Sequence, residues 1–294
     1  LTKKAALYCP RHPPTTSRVR WLTISRTAMS KGPVMSCTLL RALLFDVDGT
    51  LAETEELHRQ AFNAAFAAAG LPWHWSPERY RALLSVAGGR ERIAHFQTAY
   101  RDECQSICLS EAAIAEIHRD KNRRLGELLA SGALPLRPGV VRLAREAAAA
   151  GAAIGIVTTT SPENVTALLT ALWPADAPPF ATIVTAREAP RKKPDPQAYL
   201  VALHQTGLAP HEAVAIEDTA HGAAAAAAAG IPVIISESEY GRADAYPGAL
   251  AVVEHLGEPQ QPARFLISPT GNGSGWVTWP LLTQWVKRAQ HLDS

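Results

Sequence analysis

Asp46 and Asp48 stand two residues apart where the apolar run Leu43-Leu44-Phe45 gives way to Gly49. The run has the length and composition of a buried strand, and the glycine marks the loop after it. In an extended chain, positions i and i+2 project to the same side. Both carboxylates therefore face one site at the carboxyl end of a strand, the edge at which open α/β sheets bind ligands. Two carboxylates held there make a hard oxygen site suited to Mg²⁺, or a nucleophile beside a general acid.

Three more polar loops follow apolar strands. Ala153 to Val157 runs into Thr158-Thr159-Thr160-Ser161-Pro162. Hydroxyls followed by a helix whose start is set by Ser161 and Pro162 offer O–H and N–H donors to an anion. Thr182 to Val184 is followed by the basic loop Arg191-Lys192-Lys193-Pro194-Asp195-Pro196. Ala213-Val214-Ala215-Ile216 ends in Glu217-Asp218-Thr219. Two adjacent acids at a buried strand end repel each other unless a cation or basic group lies between them, which favours a metal.

The elements that must position these loops alternate. Glu53 to Ala69 carries Leu57, Ala61, Phe62, Ala65 and Phe66 on one helical face and stops at Gly70. Ser76-Pro77-Glu78 starts a second helix, Gly88-Gly89 breaks the chain, and Glu91 to Tyr100 and Ser110 to Ala130 read as two more. No strand signal occurs between about 53 and 135. From Pro138 a βαβ rhythm sets in, with strands at 153–157, 182–184, 213–216, 231–235 and 250–253. Six strands alternating with helices predict an α/β fold, a doubly wound parallel sheet with an inserted all-helical cap. The expected division is a core of 39–53 and 136–257, a cap of 54–135 and a C-terminal tail of 258–294. The alanine run Ala223 to Ala229 predicts a strong helix that packs close to the sheet. In the tail, Gly271-Asn272-Gly273-Ser274-Gly275 reads as a flexible linker, and the segment with Trp276, Trp279 and Trp285 as a stripe that docks on the core or on a second copy.

Asp46-Val47-Asp48-Gly49-Thr50 resembles the first motif of the haloacid dehalogenase superfamily, and Asp48 points to its phosphohydrolases. The other three loops match the remaining motifs in order, so the resemblance covers roughly residues 40 to 257. It implies that Asp46 is the nucleophile, forming an aspartyl-phosphate, while Asp48 protonates the leaving oxygen and then activates water. It further implies that Thr158 holds the phosphoryl group, with Thr159 and Thr160 as alternative contributors, and that Lys193, or its neighbour Lys192, neutralises charge. Mg²⁺ is implied as cofactor, held by Asp46, the Asp48 carbonyl and Asp218, with Glu217 as a ligand or a holder of its waters. The helical insertion resembles the mobile cap of the β-phosphoglucomutase-like branch. The segment from Glu53 through Tyr80 to Arg92 is similar to the CbbY-like group, associated with carbon fixation and with phosphatases of xylulose-1,5-bisphosphate. Glu55, His58, Tyr80, Gly89, Arg90 and Thr159 are then the expected substrate contacts, Arg90 holding a distal phosphate. The same motifs suit a sugar phosphomutase. A non-catalytic binding protein on this scaffold is the rival from another class.

The composition fits a small-molecule enzyme. A chain of 294 residues, 47% of them hydrophobic, can bury a core without staples. The formal net charge of +2 gives no reason to expect nucleic acid, and no apolar run reaches membrane-spanning length. Four cysteines without framework spacing suit a reducing compartment, and Cys104 and Cys108 read as residues of a helix face. A monomeric cytoplasmic protein acting on a sugar phosphate is expected. Residues 1–38 carry Lys3, Lys4, Arg11, Arg18, Arg20, Arg26 and Lys31 and no acid, the chemistry of an organelle transit peptide, which would place the protein in a plastid. The alternative is an upstream extension, with Met29 or Met35 as the true start.

Overall fold

The structure, a computed structural model, describes residues 40–132, 134–242 and 245–292. The expectations for the basic stretch 1–38 lie outside them. Strand β1 (Ala42–Phe45) is buried along its whole length and lies between β2 (Ala153–Val157) and β4 (Ala213–Glu217), parallel to both. β3 (Thr182–Val184) pairs with β2, β5 (Val233–Ser236) with β4, and β6 (Ala249–Val253) with β5, all parallel. The order β3-β2-β1-β4-β5-β6 turns back at β1, so the switch point falls between β1 and β4, where Phe45 is in register with Ile216.

Alternate side chains of β1 serve opposite faces, as a doubly covered parallel sheet requires. Leu43 and Phe45 join the core formed with α5 (Val140–Ala149), α6 (Pro162–Leu172) and α9 (Trp279–Leu292). Ala42 and Leu44 face α7 (Gln197–Thr206) and α8 (Ala220–Ala228). In α8 the buried Ala223, Ala225 and Ala226 form the smooth face that the alanine run predicts.

Between β1 and α5 the described chain forms only helices: α1 (Glu55–Ala68), α2 (Pro77–Leu83), α3 (Gly89–Ala99) and α4 (Glu111–Ala130). Ser76 and Ser110 cap α2 and α4, each accepting the N–H three residues on. These helices have their own core of Phe62, Phe66, Trp73, Trp75, Tyr80 and Phe96, which also takes in Tyr240 from beyond β5. Leu57 and Ala61 of α1 and Leu125 and Leu129 of α4 reach the main core, so the base of the insertion is anchored in it.

The C-terminal region differs from expectation. Residues 258–292 extend the sheet and the main core. β7 (Ala263–Ile267) adds antiparallel to β6, and β8 (Gly273–Gly275) adds antiparallel to β7, giving eight strands among the described residues rather than the six expected. The glycine cluster read as a linker is thus a hairpin turn and its edge strand. Helix α9 then packs back with Trp279, Leu282, Trp285 and Val286 in the main core, and Trp285 donates its indole N–H to Thr270 Oγ1 at 3.0 Å. Trp276 stays exposed.

Candidate active site

The four polar loops meet at the carboxyl edge of the sheet. Asp46, Asp48, Thr158, Lys193, Glu217 and Asp218 all line one cavity of about 640 Å³. Asp46 sits directly after β1, its N–H tied to Ile216 O at 3.0 Å, and its Oδ1 accepts from Lys193 Nζ at 2.7 Å. Lys193 also donates to Glu217 Oε1 at 2.6 Å and Val157 O at 2.8 Å. Tyr199 of α7 donates its hydroxyl to the same Glu217 oxygen. Lys192, the alternative lysine, turns instead to Glu91 of α3, 2.6 Å away.

Asp46, Glu217 and Asp218 each bring a carboxylate oxygen within 4.8 Å of the others, and all three are buried. One ammonium faces three carboxylates. Burial and the Glu217 and Asp48 charges push the Asp46 carboxyl up to about 7, against the pull of Lys193. Burial, with Asp46 and Glu217 nearby, raises Asp218 well above the ordinary value, while burial alone would depress Lys193 and its two carboxylate partners raise it. Glu217 Oε2 and Asp218 Oδ1 have no hydrogen-bond partner among the described residues. A buried carboxylate cluster with surplus negative charge and unpartnered oxygens fits a hard divalent cation such as Mg²⁺.

The Asp48 carboxylate lies outside that cluster. Its Oδ1 accepts from Thr54 Oγ1 at 2.6 Å and its Oδ2 from the Thr160 hydroxyl, while His58 Nε2 approaches Oδ1 to 3.3 Å. Burial alone would raise this carboxyl, but His58 and the two hydroxyls hold it well below the usual range. Behind His58, Lys121 Nζ of α4 lies 3.1 Å from Nδ1. An ammonium has no lone pair to accept with, so Nδ1 accepts and the ring proton falls on Nε2, toward Asp48. Burial pulls Lys121 down to about 8.

Thr158 is buried after β2, with its N–H on Val184 O and its Oγ1 accepting from Thr160 N–H at 3.2 Å. Thr159 and Thr160 line the cavity beside it. From the insertion, Glu55, His58, Gly89 and Arg90 reach the cavity wall. Arg90 is exposed and makes no ion pair or hydrogen bond among the described residues. Its neighbour His118 is pulled down to about 3 by burial and by Lys121, Arg90 and Lys192, which marks this wall as cationic.

Tyr80 does not reach the cavity. It is fully buried in the aromatic core of the insertion, against Trp75 and Phe62, and its hydroxyl donates to Glu55 Oε2 at 2.6 Å. An aromatic ring is drawn into an apolar cluster unless something else claims it, so Tyr80 stands behind the cavity wall, in contact with Glu55, with Arg92, whose Nη1 donates to its hydroxyl at 3.1 Å, and with Tyr240. Thr54, Thr160 and Lys121 were not singled out for the contacts they make with Asp48 and His58. The one signal for Thr54 is a hydroxyl residue at the start of a predicted helix, which normally reads as a cap.

Residues 40–230 match the family model described as "Hydrolase: haloacid dehalogenase-like hydrolase". The chain is 46% identical over 224 residues to the CbbY protein of Cupriavidus necator, covering 76% of this chain and 88% of that one. It is 47% identical over 211 residues to CbbY of Rhodobacter capsulatus, covering 71% and 91%. A solved structure of a CbbY variant from Rhodobacter sphaeroides, in complex with xylulose-1,5-bisphosphate, superposes with a TM-score of 0.68 at 42% identity over 75% of this chain and 96% of that one. The chain belongs to the haloacid dehalogenase-like hydrolase family, among its CbbY-like phosphatases.

Proposed function

We propose that this protein is a Mg²⁺-dependent phosphatase of a small sugar bisphosphate, of which xylulose-1,5-bisphosphate is the first candidate. The observation that carries the reading is one cavity lined by Asp46 and Asp48 from the core and by the unpaired Arg90 from the insertion. A nucleophile, a proton carrier and a separate cation for a second phosphate thus share one enclosure. The CbbY variant crystallised with xylulose-1,5-bisphosphate supports the choice of substrate.

In this reading Asp46 attacks phosphorus, the P–O ester bond breaks, and the sugar oxygen leaves with a proton from Asp48. Water then attacks the aspartyl-phosphate and gives its proton to Asp48, so that phosphate departs and Asp46 is restored. The contacts from His58, Thr54 and Thr160 suit the second step, because they stabilise an ionised Asp48 that is ready to accept. An incoming phosphate charge raises the same carboxyl and suits it to the first step. Lys193 draws the Asp46 carboxyl toward its ionised form against burial and its acidic neighbours, and Thr158 with the α6 N-terminus offers donors to the transferring phosphoryl group. Mg²⁺, when held by Asp46, Asp218 and the Asp48 carbonyl, with Glu217 beside them, supplies charge neutralisation for the incoming phosphate. The helical insertion acts as a cap that excludes bulk water over the substrate.

The test is a panel of sugar mono- and bisphosphates assayed for phosphate release with Mg²⁺ and with EDTA. Metal-dependent release, fastest for a pentulose bisphosphate, is expected. Interconversion of monophosphates that needs a bisphosphate activator and frees no phosphate would make the protein a mutase, and no turnover of any ester would leave a binding protein.

A further inference from the structure

Arg137 lies in the second crossing between the insertion and the core, and the chemistry above leaves it unused. Its side chain is only 7% exposed. Nη1 donates to Gly49 O and, at 2.9 Å, to Ser236 O; Nη2 donates to Glu237 O and, at 3.2 Å, to Glu254 O. Nε lies 3.1 Å from Glu53 Oε1, and the backbone N–H donates to Leu51 O at 2.8 Å. Burying a guanidinium mainly among carbonyls is costly, and burial pulls Arg137 below its ordinary value. Carbonyls from separate loops are nonetheless gathered onto this one planar group.

Two of those loops wrap Asp218. Gly49 has φ +76° and comes so close that a Cβ there would overlap Asp218 Oδ2. On the other side Ser238 donates its hydroxyl to the same Oδ2 at 2.6 Å, and Gly241 N–H fixes that hydroxyl at 2.7 Å. With Oδ2 held between these two segments, the unpartnered Oδ1 is the oxygen left for the carboxylate cluster. Arg137 Nη1 touches both segments at once, through Gly49 O and Ser236 O.

We propose that Arg137 is a positioning residue that closes the cradle around Asp218 and so sets the affinity of the Asp46–Glu217–Asp218 cluster for its divalent cation. The consequence for turnover rests on the phosphatase reading, whereas the consequence for cation binding does not. The planar fork is the feature that matters, because an ammonium cannot span two carbonyls with fixed geometry while also reaching Glu237 and Glu254.

Isothermal titration of Mg²⁺ into wild type, Arg137→Ala, Arg137→Lys and Glu53→Gln, with thermal unfolding of each, tests this. Arg137→Ala is expected to bind Mg²⁺ at least tenfold more weakly while still unfolding cooperatively, and methylguanidinium is expected to restore binding. Arg137→Lys is expected to keep the charge without restoring affinity. Glu53→Gln, which leaves the fork in place, is expected to bind within about twofold of wild type. A folded Arg137→Lys protein with wild-type Mg²⁺ affinity would overturn the proposal, as would equal losses in Arg137→Lys and Glu53→Gln. A wild-type protein that binds Mg²⁺ and hydrolyses no phosphoester would overturn the proposed function alone.

Discussion

Thr54 gives its hydroxyl to Asp48 Oδ1 at 2.6 Å although it stands at the N-cap of α1, where it makes no capping bond. A residue placed to satisfy the helix serves the Asp48 carboxylate instead. The first turn is left with Glu55 and Glu56, whose charges suit the helix dipole without a side-chain cap. This links the first crossing into the insertion directly to the candidate chemistry.

Thr54→Val should therefore lower kcat/KM about tenfold, or about 1.4 kcal/mol, and Thr54→Ser should recover most of it. The variant should also lose stability, because a buried carboxylate has lost a donor. The folded Asp48 carboxyl lies below its ordinary value of 3.8, so the stability it contributes is complete above that pH and is lost as pH falls through the folded value. The deficit, measured by urea unfolding, should accordingly stay constant between about pH 5 and 8. A deficit that changed across this range would place the hydroxyl's effect elsewhere.

Asp46 has the opposite sign. Its carboxyl is raised from 3.8 to about 7, so between those values the folded state binds more protons than the unfolded one, and metal-free stability falls as pH rises. Mg²⁺ binds the ionised form. The rise in thermal midpoint on adding Mg²⁺ should grow from pH 5.5 to pH 8, and Mg²⁺ affinity by calorimetry should weaken steadily below about pH 7. Asp46→Asn should abolish phosphate release with the fold intact, since an amide is too poor a nucleophile to form the acyl phosphate.

Lys121 gives an alkaline signature. Its ammonium is pulled down to about 8 by burial and donates toward His58 Nδ1, which keeps Nε2–H toward Asp48. Activity should fall as pH passes about 8, and Lys121→Met should be roughly tenfold less active at pH 7 with that limb removed from its kcat/KM profile. A limb that persists in the variant would assign it to another group.

The strand ends and their polar loops were legible because each is local. An apolar run followed by acids, hydroxyls or a basic pair needs no tertiary information, and the expected α/β sheet with a helical insertion follows from the same alternation. What was not legible depends on packing across long separations. Lys121 meets His58 from 63 residues away and Arg137 meets Glu254 from 117, and no spacing rule announces either contact. Tyr80 is expected at the substrate only through the resemblance of its segment to the CbbY-like group, and sequence does not show that Trp75 and Phe62 take its ring into the core of the insertion. The β7–β8 hairpin was missed because a three-residue strand, Gly273–Gly275, has no alternation to detect and forms only on the template that β7 and β6 provide.

Under the bisphosphate reading, specificity is expected to turn on Arg90. It follows Gly88, which has φ +98° and lies so close to Lys192 Nζ and Glu91 that a side chain there would collide with both. That turn delivers Arg90 to the first turn of α3, where the helix N-terminus adds positive potential. Lys192 is committed to Glu91 and Lys193 to Asp46 and Glu217, whereas Arg90 has no partner among the described residues. A bisphosphate that places one phosphate at Asp46 has this guanidinium available for the other, with the fork geometry that phosphate favours. Losing a desolvated charge partner costs about 2 to 5 kcal/mol, far more than losing a rim charge. Arg90→Ala should lower kcat/KM for a sugar bisphosphate by roughly thirtyfold or more, about 2 kcal/mol, and leave a small aryl phosphate nearly unaffected. Equal losses on both substrates, or none on either, would remove Arg90 as the distal-phosphate clamp and return the substrate to a monophosphate.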